Sequence, residues 1–434
     1  MTNSPRPIRL GEIELCDPIA ALRPEVLSKR TGTERLRLLV RHHRAPIGFL
    51  DVTLGAAGIS ADDVVGLVRS EFGPELEQRL GSIAVQELGT DGLGWFVNGS
   101  ARPVNRTPIT VVIATRERPD ALERCLASHF ASDRPDEPVI VVDNAPLTEA
   151  TTVIVERLQA EGRPVTYVRE PRPGLGRAHN AALPFVTTPL VAFTDDDVLI
   201  DRSWLDALDE AFRVAPDVAC VTGMIVPAEL ETPAQQWVED YAGFGKGFQR
   251  TIFDLDRHRP ADRLFPFTAG SLGSGANMAF RTSYLCANGG FADALGAGTL
   301  ARGGDDLAAF HDVIVRGHQL VYEPAAIVRH HHHRTEEALR RQLHGYGVGL
   351  GAYLTHVVVT RPWSLVSMLR HGLAGVRHIT DDDSSKNARR PEGFPADLIS
   401  LERRGMLAGP WWYVRSRLRI SAENRAARGK GTRP

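Results

Sequence analysis

Cysteine and lysine are scarce in this sequence of 434 residues. The four cysteines, at positions 16, 125, 220 and 286, lie far apart and form no C-x-x-C pair. The sequence therefore indicates neither a disulfide framework nor a zinc knuckle, and a reducing compartment fits this usage. Arginine replaces lysine almost everywhere, as is typical of GC-rich genomes, so we do not interpret each arginine as an anion-binding residue.

Long hydrophobic runs are also missing. No stretch reaches the roughly 18 uncharged apolar residues of a membrane-spanning helix. The nearest, 345–360, is rich in glycine and predicts a buried or interfacial helix. The first ten residues are polar and predict no signal peptide. A formal net charge of −2 gives no indication of nucleic acid binding, and the composition predicts a cytoplasmic protein of two or three domains.

Two changes of pattern divide the chain into three regions. Residues 1–100 carry two apolar runs joined by a turn and then a capping box from Ser60 to Asp63, which predicts a small N-terminal α+β domain of unknown role. Residues 108–335 alternate strand-like and helix-like segments, which predicts an α/β domain whose central, mostly parallel sheet has helices on both faces. Residues 336–434 predict a helical C-terminal extension with a basic tail.

In the α/β region, several polar residues lie directly after predicted strands. Strands are predicted at 109–115, 138–143, 165–168, 190–194, 218–226, 277–281 and 320–322, and helices at 121–130, 148–161, 203–214 and 306–315. In parallel sheets, ligands bind beyond the carboxyl ends of the strands. Polar residues follow four of these strands, namely Thr115 and Arg116, Asp143, the turn 174–180 with Arg177 and Asn180, and 195–197.

The run of Asp195, Asp196 and Asp197 is the sharpest feature. Adjacent carboxylates repel one another, and a divalent cation removes that cost. Hard oxygen ligands suit Mg²⁺ or Mn²⁺. A solvated acidic turn or a helix cap is the alternative, although Asp201 and Ser203 lie nearer to the following helix.

A second acidic pair, Asp305 and Asp306, opens the predicted helix at 306–315. Capping a helix needs one carboxylate, so the other is available as a general base. The histidine run 330–333 follows the last predicted strand. We expect most of these histidines to be solvated and treat His330 as a candidate metal ligand.

Residues 109–335 resemble the family 2 glycosyltransferases, which carry the GT-A fold. The matching segments are ITVVIATR at 109–116, VVDN at 141–144, GLGRAHN at 174–180, FTDDD at 193–197, GSGANMAFR at 273–281 and GDDL at 304–307. They occur in family order, and the N-terminal extension resembles that of some actinobacterial members. The resemblance implies a GT-A-like fold.

The resemblance also implies roles for individual residues. Asp195 and Asp197 match the D-x-D motif that holds ribose and metal, and Asp306 matches the catalytic base. Because Asp305 replaces the glutamate of the family's Glu-Asp pair, either aspartate could be the base. The resulting assignments are catalysis for Asp305 and Asp306; donor binding for Thr115, Arg116, Asp143, Arg177, Asn180, Asp195, Asp196, Gly275 and Asn277; and Mn²⁺ or Mg²⁺ binding for Asp195, Asp197 and His330.

The implied reaction is an inverting, metal-dependent transfer from a UDP-, GDP- or dTDP-sugar to a glycan or lipid-linked acceptor in the synthesis of cell-envelope polysaccharide, glycolipid or glycoconjugate. The Q-x-x-R-W motif of processive synthases is absent, since 342–346 lacks its Arg-Trp, which favours single addition. One alternative is a non-catalytic sugar-nucleotide-binding scaffold. Another is a sugar-nucleotide pyrophosphorylase, which needs a glycine-rich, basic loop that 115–119 does not provide.

The C-terminal segment is basic. From position 401 onward, nine basic residues face only Glu402 and Glu423, and Trp411, Trp412 and Tyr413 lie among the arginines. Aromatic and basic residues together fit a peripheral contact of 401–434 with the anionic inner face of the plasma membrane. A packed helix followed by a basic tail is the alternative. The sequence gives no indication of the oligomeric state.

Overall fold

The computed structural model describes residues 6–23, 33–93, 105–242, 244–370 and 395–429. The first two ranges form a small α+β unit with a core of its own. Its elements are β1 (Ile8–Glu14), β2 (Glu34–His42), β3 (Ala45–Leu54), α1 (Ala61–Leu80) and α2 (Ser82–Glu87). Strand β2 pairs parallel to β1 and antiparallel to β3. The predicted cap is present, since the Ser60 hydroxyl accepts a hydrogen bond from the Asp63 N–H.

A nine-stranded sheet forms the centre of the molecule. Its strands are β4 (Ile109–Thr115), β5 (Val139–Asn144), β6 (Val165–Glu170), β7 (Leu190–Asp195), β8 (Val198–Ile200), β9 (Val218–Pro227), β10 (Thr251–Phe253), β11 (Asn277–Arg281) and β12 (Gln319–His330). They lie in the order β10-β12-β9-β11-β7-β4-β5-β6, with β8 paired to β12. Strands β4 to β7 are mutually parallel, as are β9 and β12, so the prediction of a mostly parallel sheet is confirmed.

The last strand is much longer than predicted. Strand β12 covers twelve residues, whereas the sequence indicated only 320–322. Its register shifts between Glu323 and Ile327, and it then continues to His330. The irregularity interrupts the alternation by which a strand is recognised in a sequence.

Helices cover both faces of the sheet, as predicted. They are α3 (Pro119–Phe130), α4 (Ala150–Ala160), α5 (Leu175–Ala182), α6 (Trp204–Phe212), α7 (Pro233–Ala242), α8 (Thr282–Ala287) and α9 (Asp305–Val315). Successive residues of β4 point to opposite faces. Val111 and Ile113 therefore pack with α3, α4 and α6, whereas Val112 packs with α5 and α9.

The C-terminal region is helical, as predicted, with α10 (Glu336–Thr360), α11 (Ser364–Arg370) and α12 (Ala396–Gly429). Helices α10 and α12 approach closely through glycines: a Cβ at Gly351 would overlap the carbonyl oxygen of Met406, and one at Gly409 would lie 2.6 Å from the Cα of Gly351. Within the described ranges, no helix has the length and hydropathy needed to cross a membrane. Residues 371–394 of the predicted C-terminal extension lie outside the described residues.

The N-terminal unit packs against the large sheet. Ile8 forms a backbone bridge with Leu230, and Leu39 packs with Met224 of β9. Arg41, which is 5% exposed, donates to Asp201 at 2.8 Å. The division of the chain at 1–100, 108–335 and 336–434 stays a prediction.

Candidate active site

Asp195, Asp197 and His330 converge where β7 ends. Asp195 is the last residue of β7, and β8 then turns back to pair with the end of β12, setting Val198 opposite His330. The Nε2 atom of His330 therefore lies 3.2 Å from Oδ1 of Asp197. Each of the three residues offers a ligand atom within 4.8 Å of the other two.

The charges of this cluster fit a divalent cation. Burial and the charge of Asp197 raise the pKa of Asp195. Burial would also raise the pKa of Asp197, but His330 and Arg118 lower it well below its usual range. Burial opposes protonation of His330, yet the two carboxylates raise its pKa. Positive charge from His330 and Arg118 thus compensates the carboxylates, and a cation bound by two carboxylates and an imidazole would take over that role.

A chain of contacts behind His330 holds its ring. Its Nδ1 lies 3.3 Å from Nδ1 of His332, whose Nε2 lies 2.9 Å from Oε2 of Glu239. Phe244 stacks on both rings. The expectation that the histidine run is mostly solvated is therefore wrong for His330 and His332, because the extension of β12 carries them under α7. Sequence reasoning gave no signal for Glu239.

Asp196 points away from this cluster and is 5% exposed. Its Oδ2 accepts from the Thr115 hydroxyl at 2.7 Å, and its Oδ1 accepts from Arg118 at 3.1 Å. Arg118 also donates to Oδ2 of Asp197 at 2.9 Å. Thr115 and Asp196 thus hold Arg118 in place, and their predicted role in donor binding stays a prediction. Arg118 was missed in the sequence, although it lies in the polar cluster after β4, and the predicted Arg116 is exposed.

The second acidic pair, Asp305 and Asp306, lies near the same edge of the sheet. We call the space between the two acidic segments the crevice. Asn277 begins β11 opposite Thr194, the neighbour of Asp195, so the preceding loop lies beside the end of β7. In that loop the Gly275 N–H donates to Oδ2 of Asp306 at 2.9 Å. Burial and the charges of Asp195, Asp306 and Asp197 raise the pKa of Tyr346, which lies near both acidic segments.

Asp305 and Asp306 differ in exposure. Asp305 is 4% exposed, and burial and the charge of Asp306 raise its pKa. Asp306 is half-buried, and its Oδ1 accepts from the Leu307 N–H at 2.8 Å. Burial raises the pKa of Asp306 as well, against the two backbone donors. The geometry therefore gives Asp306 the better access to a substrate.

The end of β5 and the helix after β6 carry two further predicted donor-binding residues, Asp143 and Arg177. Asp143 is 1% exposed, and its Oδ2 accepts from the Tyr167 hydroxyl at 3.0 Å. Its Oδ1 is shielded from solvent, and burial raises the pKa of the carboxyl against hydrogen bonds from Tyr167 and Thr151. Arg177, 3% exposed, forms an ion pair of 2.7 Å with Glu423 of α12, a contact that the sequence did not indicate.

Two predicted donor-binding residues, Asn277 and Asn180, connect segments of the fold through their side-chain amides. The Asn277 amide donates to the carbonyl oxygens of Met224 and Ala326 and accepts from the Trp204 indole. The Asn180 amide donates to the Phe291 carbonyl and accepts from the Phe291 N–H. These bonds fix the positions of β11 and α5, and the predicted role of both residues in donor binding stays a prediction.

Residues 110–285 match the family model described as glycosyl transferase family 2. The curated pre-mycofactocin glycosyltransferase of Mycobacterium tuberculosis (strain ATCC 25618 / H37Rv) is 29% identical over 230 residues, which cover 52% of this chain. The match spans 43% of that relative, less than half of its length.

Two solved structures are remotely similar. A mannosyltransferase from Pyrobaculum calidifontis, in complex with GDP-Man and Mn²⁺, has a TM-score of 0.42 and 19% identity, covering 84% of this chain and 86% of that one. GalNAc-T7, with UDP, GalNAc and Mn²⁺, has a TM-score of 0.41 and 14% identity, covering 67% and 60%.

Proposed function

We propose, on the premise that residues 110–285 belong to glycosyl transferase family 2, that this protein transfers a sugar from a nucleotide-diphosphate-sugar to an acceptor hydroxyl. One observation carries the proposal: Asp195, Asp197 and His330 share a crevice with Asp306, at the carboxyl ends of parallel strands. Ligands bind at this edge of such sheets.

The donor side of the crevice suits a nucleoside diphosphate. Mn²⁺ or Mg²⁺ held by Asp195, Asp197 and His330 would screen the charge that grows on the leaving diphosphate. The Arg118 guanidinium, 48% exposed beside the same carboxylates, adds a positive charge that reaches solvent. The buried Oδ1 of Asp143 can accept a hydrogen bond from an N–H of the nucleobase.

The acceptor side needs a base, and Asp306 fits that role. The N–H groups of Gly275 and Leu307 fix its two oxygens, and burial raises its pKa. Asp306 takes the proton of the acceptor hydroxyl while the acceptor oxygen bonds to the anomeric carbon and the bond to the diphosphate breaks. A single displacement of this kind inverts the anomeric centre and adds one sugar.

Release of nucleoside diphosphate from UDP-, GDP- and dTDP-sugars, measured with Mn²⁺ on the full chain, tests the proposal. We expect slow hydrolysis of one donor class even without acceptor, and stabilisation by that donor in a thermal-shift assay. Asp306→Asn should lower turnover about 10²–10⁴-fold while donor binding persists. Asp197→Ala should weaken Mn²⁺-dependent donor binding.

Asp62→Asn, at an exposed position in the first turn of α1, is the matched control and should leave turnover unchanged. Full turnover by Asp306→Asn would contradict its role as the base. If no nucleotide-sugar is bound or cleaved, the transferase proposal itself is wrong.

We further propose that α12 contacts an anionic membrane surface, which would place the enzyme at the inner face of the membrane beside lipid-linked acceptors. Leu407, Trp411 and Leu418 are 80%, 62% and 63% exposed and recur at helical spacing along one face. Arg415 lies over the Trp411 ring at 5.8 Å, so positive charge adjoins the apolar stripe. This combination is typical of interfacial helices.

Co-sedimentation with vesicles containing anionic lipid tests the contact. We expect Trp411→Ala combined with Leu418→Ser to reduce the bound fraction, whereas Leu147→Ser, which changes an 80% exposed leucine far along the chain, should not. Equal sedimentation of the unmodified chain and both variants would contradict the proposed membrane contact.

A further inference from the structure

A second cluster of potential metal ligands lies in the N-terminal unit, on residues that the proposed transferase chemistry does not use. Cys16 follows β1, His42 ends β2, and His43 opens the turn to β3. One ligand atom from each of the three residues lies within 4.8 Å of the other two.

Within the part of the chain that the structure describes, two ring nitrogens of the cluster are buried without a hydrogen-bond partner. The Nε2 atoms of His42 and His43 are screened from solvent and have no hydrogen-bond partner among the described residues. The two rings meet edge to face with centroids 4.3 Å apart. The His43 N–H points at the sulfur of Cys16, at 3.4 Å, where it favours a thiolate.

Local contacts hold the three residues together. Glu14 accepts from the Cys16 N–H at 3.3 Å through Oε1 and from the Arg44 N–H at 2.8 Å through Oε2. It thereby joins the segment after β1 to the β2–β3 turn. His43 and Arg44 have φ values of 48° and 67°, a conformation that non-glycine residues adopt only where surrounding contacts enforce it.

We propose that Cys16, His42 and His43 bind a transition-metal ion of the zinc type, with solvent completing the coordination. One thiolate and two imidazoles form a donor set that Zn²⁺ prefers, whereas the oxygen-rich set at Asp195 and Asp197 suits Mn²⁺ or Mg²⁺. The two sites therefore select different metals.

Metal binding here would act on the attachment of the N-terminal unit. Binding of the ion to the Cys16 sulfur releases the proton of the thiol. Arg41 on β2 and Arg44 in the turn flank His42 and His43, and they pair with Asp201 and Asp133 of the large domain. An ion would fix this turn and raise the thermal stability of the whole chain.

Titration of the reduced full chain with Co²⁺, without a polyhistidine tag, tests the site. We expect a thiolate-to-cobalt charge-transfer band in the near ultraviolet together with the strong visible bands of tetrahedral Co²⁺, and Zn²⁺ should abolish both. The site at Asp195 and Asp197 holds no thiolate and cannot produce the charge-transfer band. Cys286→Ser, which changes an exposed cysteine outside the cluster, should keep it, and Cys16→Ser should lose it.

His42→Gln provides a second variant that keeps the sulfur. It should retain the native circular dichroism and bind Co²⁺ more than about tenfold more weakly, as expected for a lost ligand. No charge-transfer band in the unmodified chain, or an unchanged band in Cys16→Ser, would overturn the proposal. Failure of Co²⁺ binding here with intact donor cleavage would leave the transferase proposal standing.

Discussion

At the scale of single residues, some side chains line the crevice and others hold those side chains in place. Asp195 and Asp197 face it, whereas Asp196 is bonded to Thr115 and Arg118 beneath it. Glu239 acts at a greater distance, because it reaches His330 only through the His332 ring. The free energy of the proposed metal binding would therefore depend on residues that contact neither the metal nor the sugar.

Glu239→Gln should weaken Mn²⁺ binding about 10–100-fold, because the carboxylate that orients the two histidine rings becomes a neutral amide. Calorimetric titration with Mn²⁺ measures the effect. Glu231→Gln is the matched control, since its carboxylate pairs with Arg334 at the surface, 56% exposed. Equal Mn²⁺ affinity in the two variants would show that the histidine pair needs no carboxylate behind it.

Acidic residues are easier to single out in a sequence than amides. A carboxylate is costly to bury without a cation, so runs such as 195–197 and 305–306 stand out in any sequence. An asparagine can satisfy its donors and acceptor inside the fold, as Asn277 does with Met224 and Trp204. Only coordinates distinguish an amide that binds substrate from one that bonds strands together.

At the scale of elements, the glycines of α10 decide how closely α12 approaches. A Cβ at Gly351 would overlap the Met406 carbonyl, but one at Gly345, on the same helix, would meet nothing within 4 Å. Gly351→Ala should therefore lower the free energy of unfolding by about 1–3 kcal/mol through overpacking.

Gly345→Ala is the control and should be neutral or stabilising by about 0.5–1 kcal/mol, since alanine is the better helix former. Denaturant unfolding followed by circular dichroism measures both variants. If the two glycines tolerate alanine equally, the helices do not depend on close contact.

Helix α12 also brings Glu423 to Arg177. The Glu423 carboxylate pairs with the Arg177 guanidinium, which lies in the helix that follows the glycine-rich turn. Without that carboxylate, the guanidinium would attract an anion. Glu423→Gln should therefore bind the nucleoside diphosphate about tenfold more tightly, given the roughly 1.5–3 kcal/mol of a charge-assisted hydrogen bond. Fluorescence titration with UDP and GDP measures the change. Weaker binding would mean that the ion pair shapes the pocket and does not compete for it.

Strands and helices of the sheet were predictable because each has its own periodic signal, and β4 and β11 have the bounds that the sequence indicated. Strands β8 and β10 have three residues each, too few to show alternation. The contact of Glu423 with Arg177 joins distant segments, and no local pattern encodes such a pair.

At the scale of the whole molecule, buried charge joins the N-terminal unit to the sheet. Arg41 and Asp201 are both almost fully buried, and their ion pair replaces contacts with water. Arg41→Ala should destabilise the chain by about 3–5 kcal/mol, because it leaves a buried carboxylate with fewer partners.

Arg37→Ala is the matched control on the same strand, since Arg37 pairs with Asp51, which is 57% exposed. Its cost should stay within about 1 kcal/mol. Thermal unfolding of the full chain distinguishes the two. A small effect at both positions would show that the N-terminal unit is held by apolar packing and not by Arg41.

The long β12 has a consequence for the order in which the protein matures. During synthesis Asp195 and Asp197 leave the ribosome well before His330. The part of β12 that follows its register shift must then pair with β8 before the His330 imidazole lies beside the two carboxylates. The acidic pair would hold its cation firmly only after that final strand has joined. Ion uptake would thus mark a finished sheet, and an unfinished chain could not retain a donor.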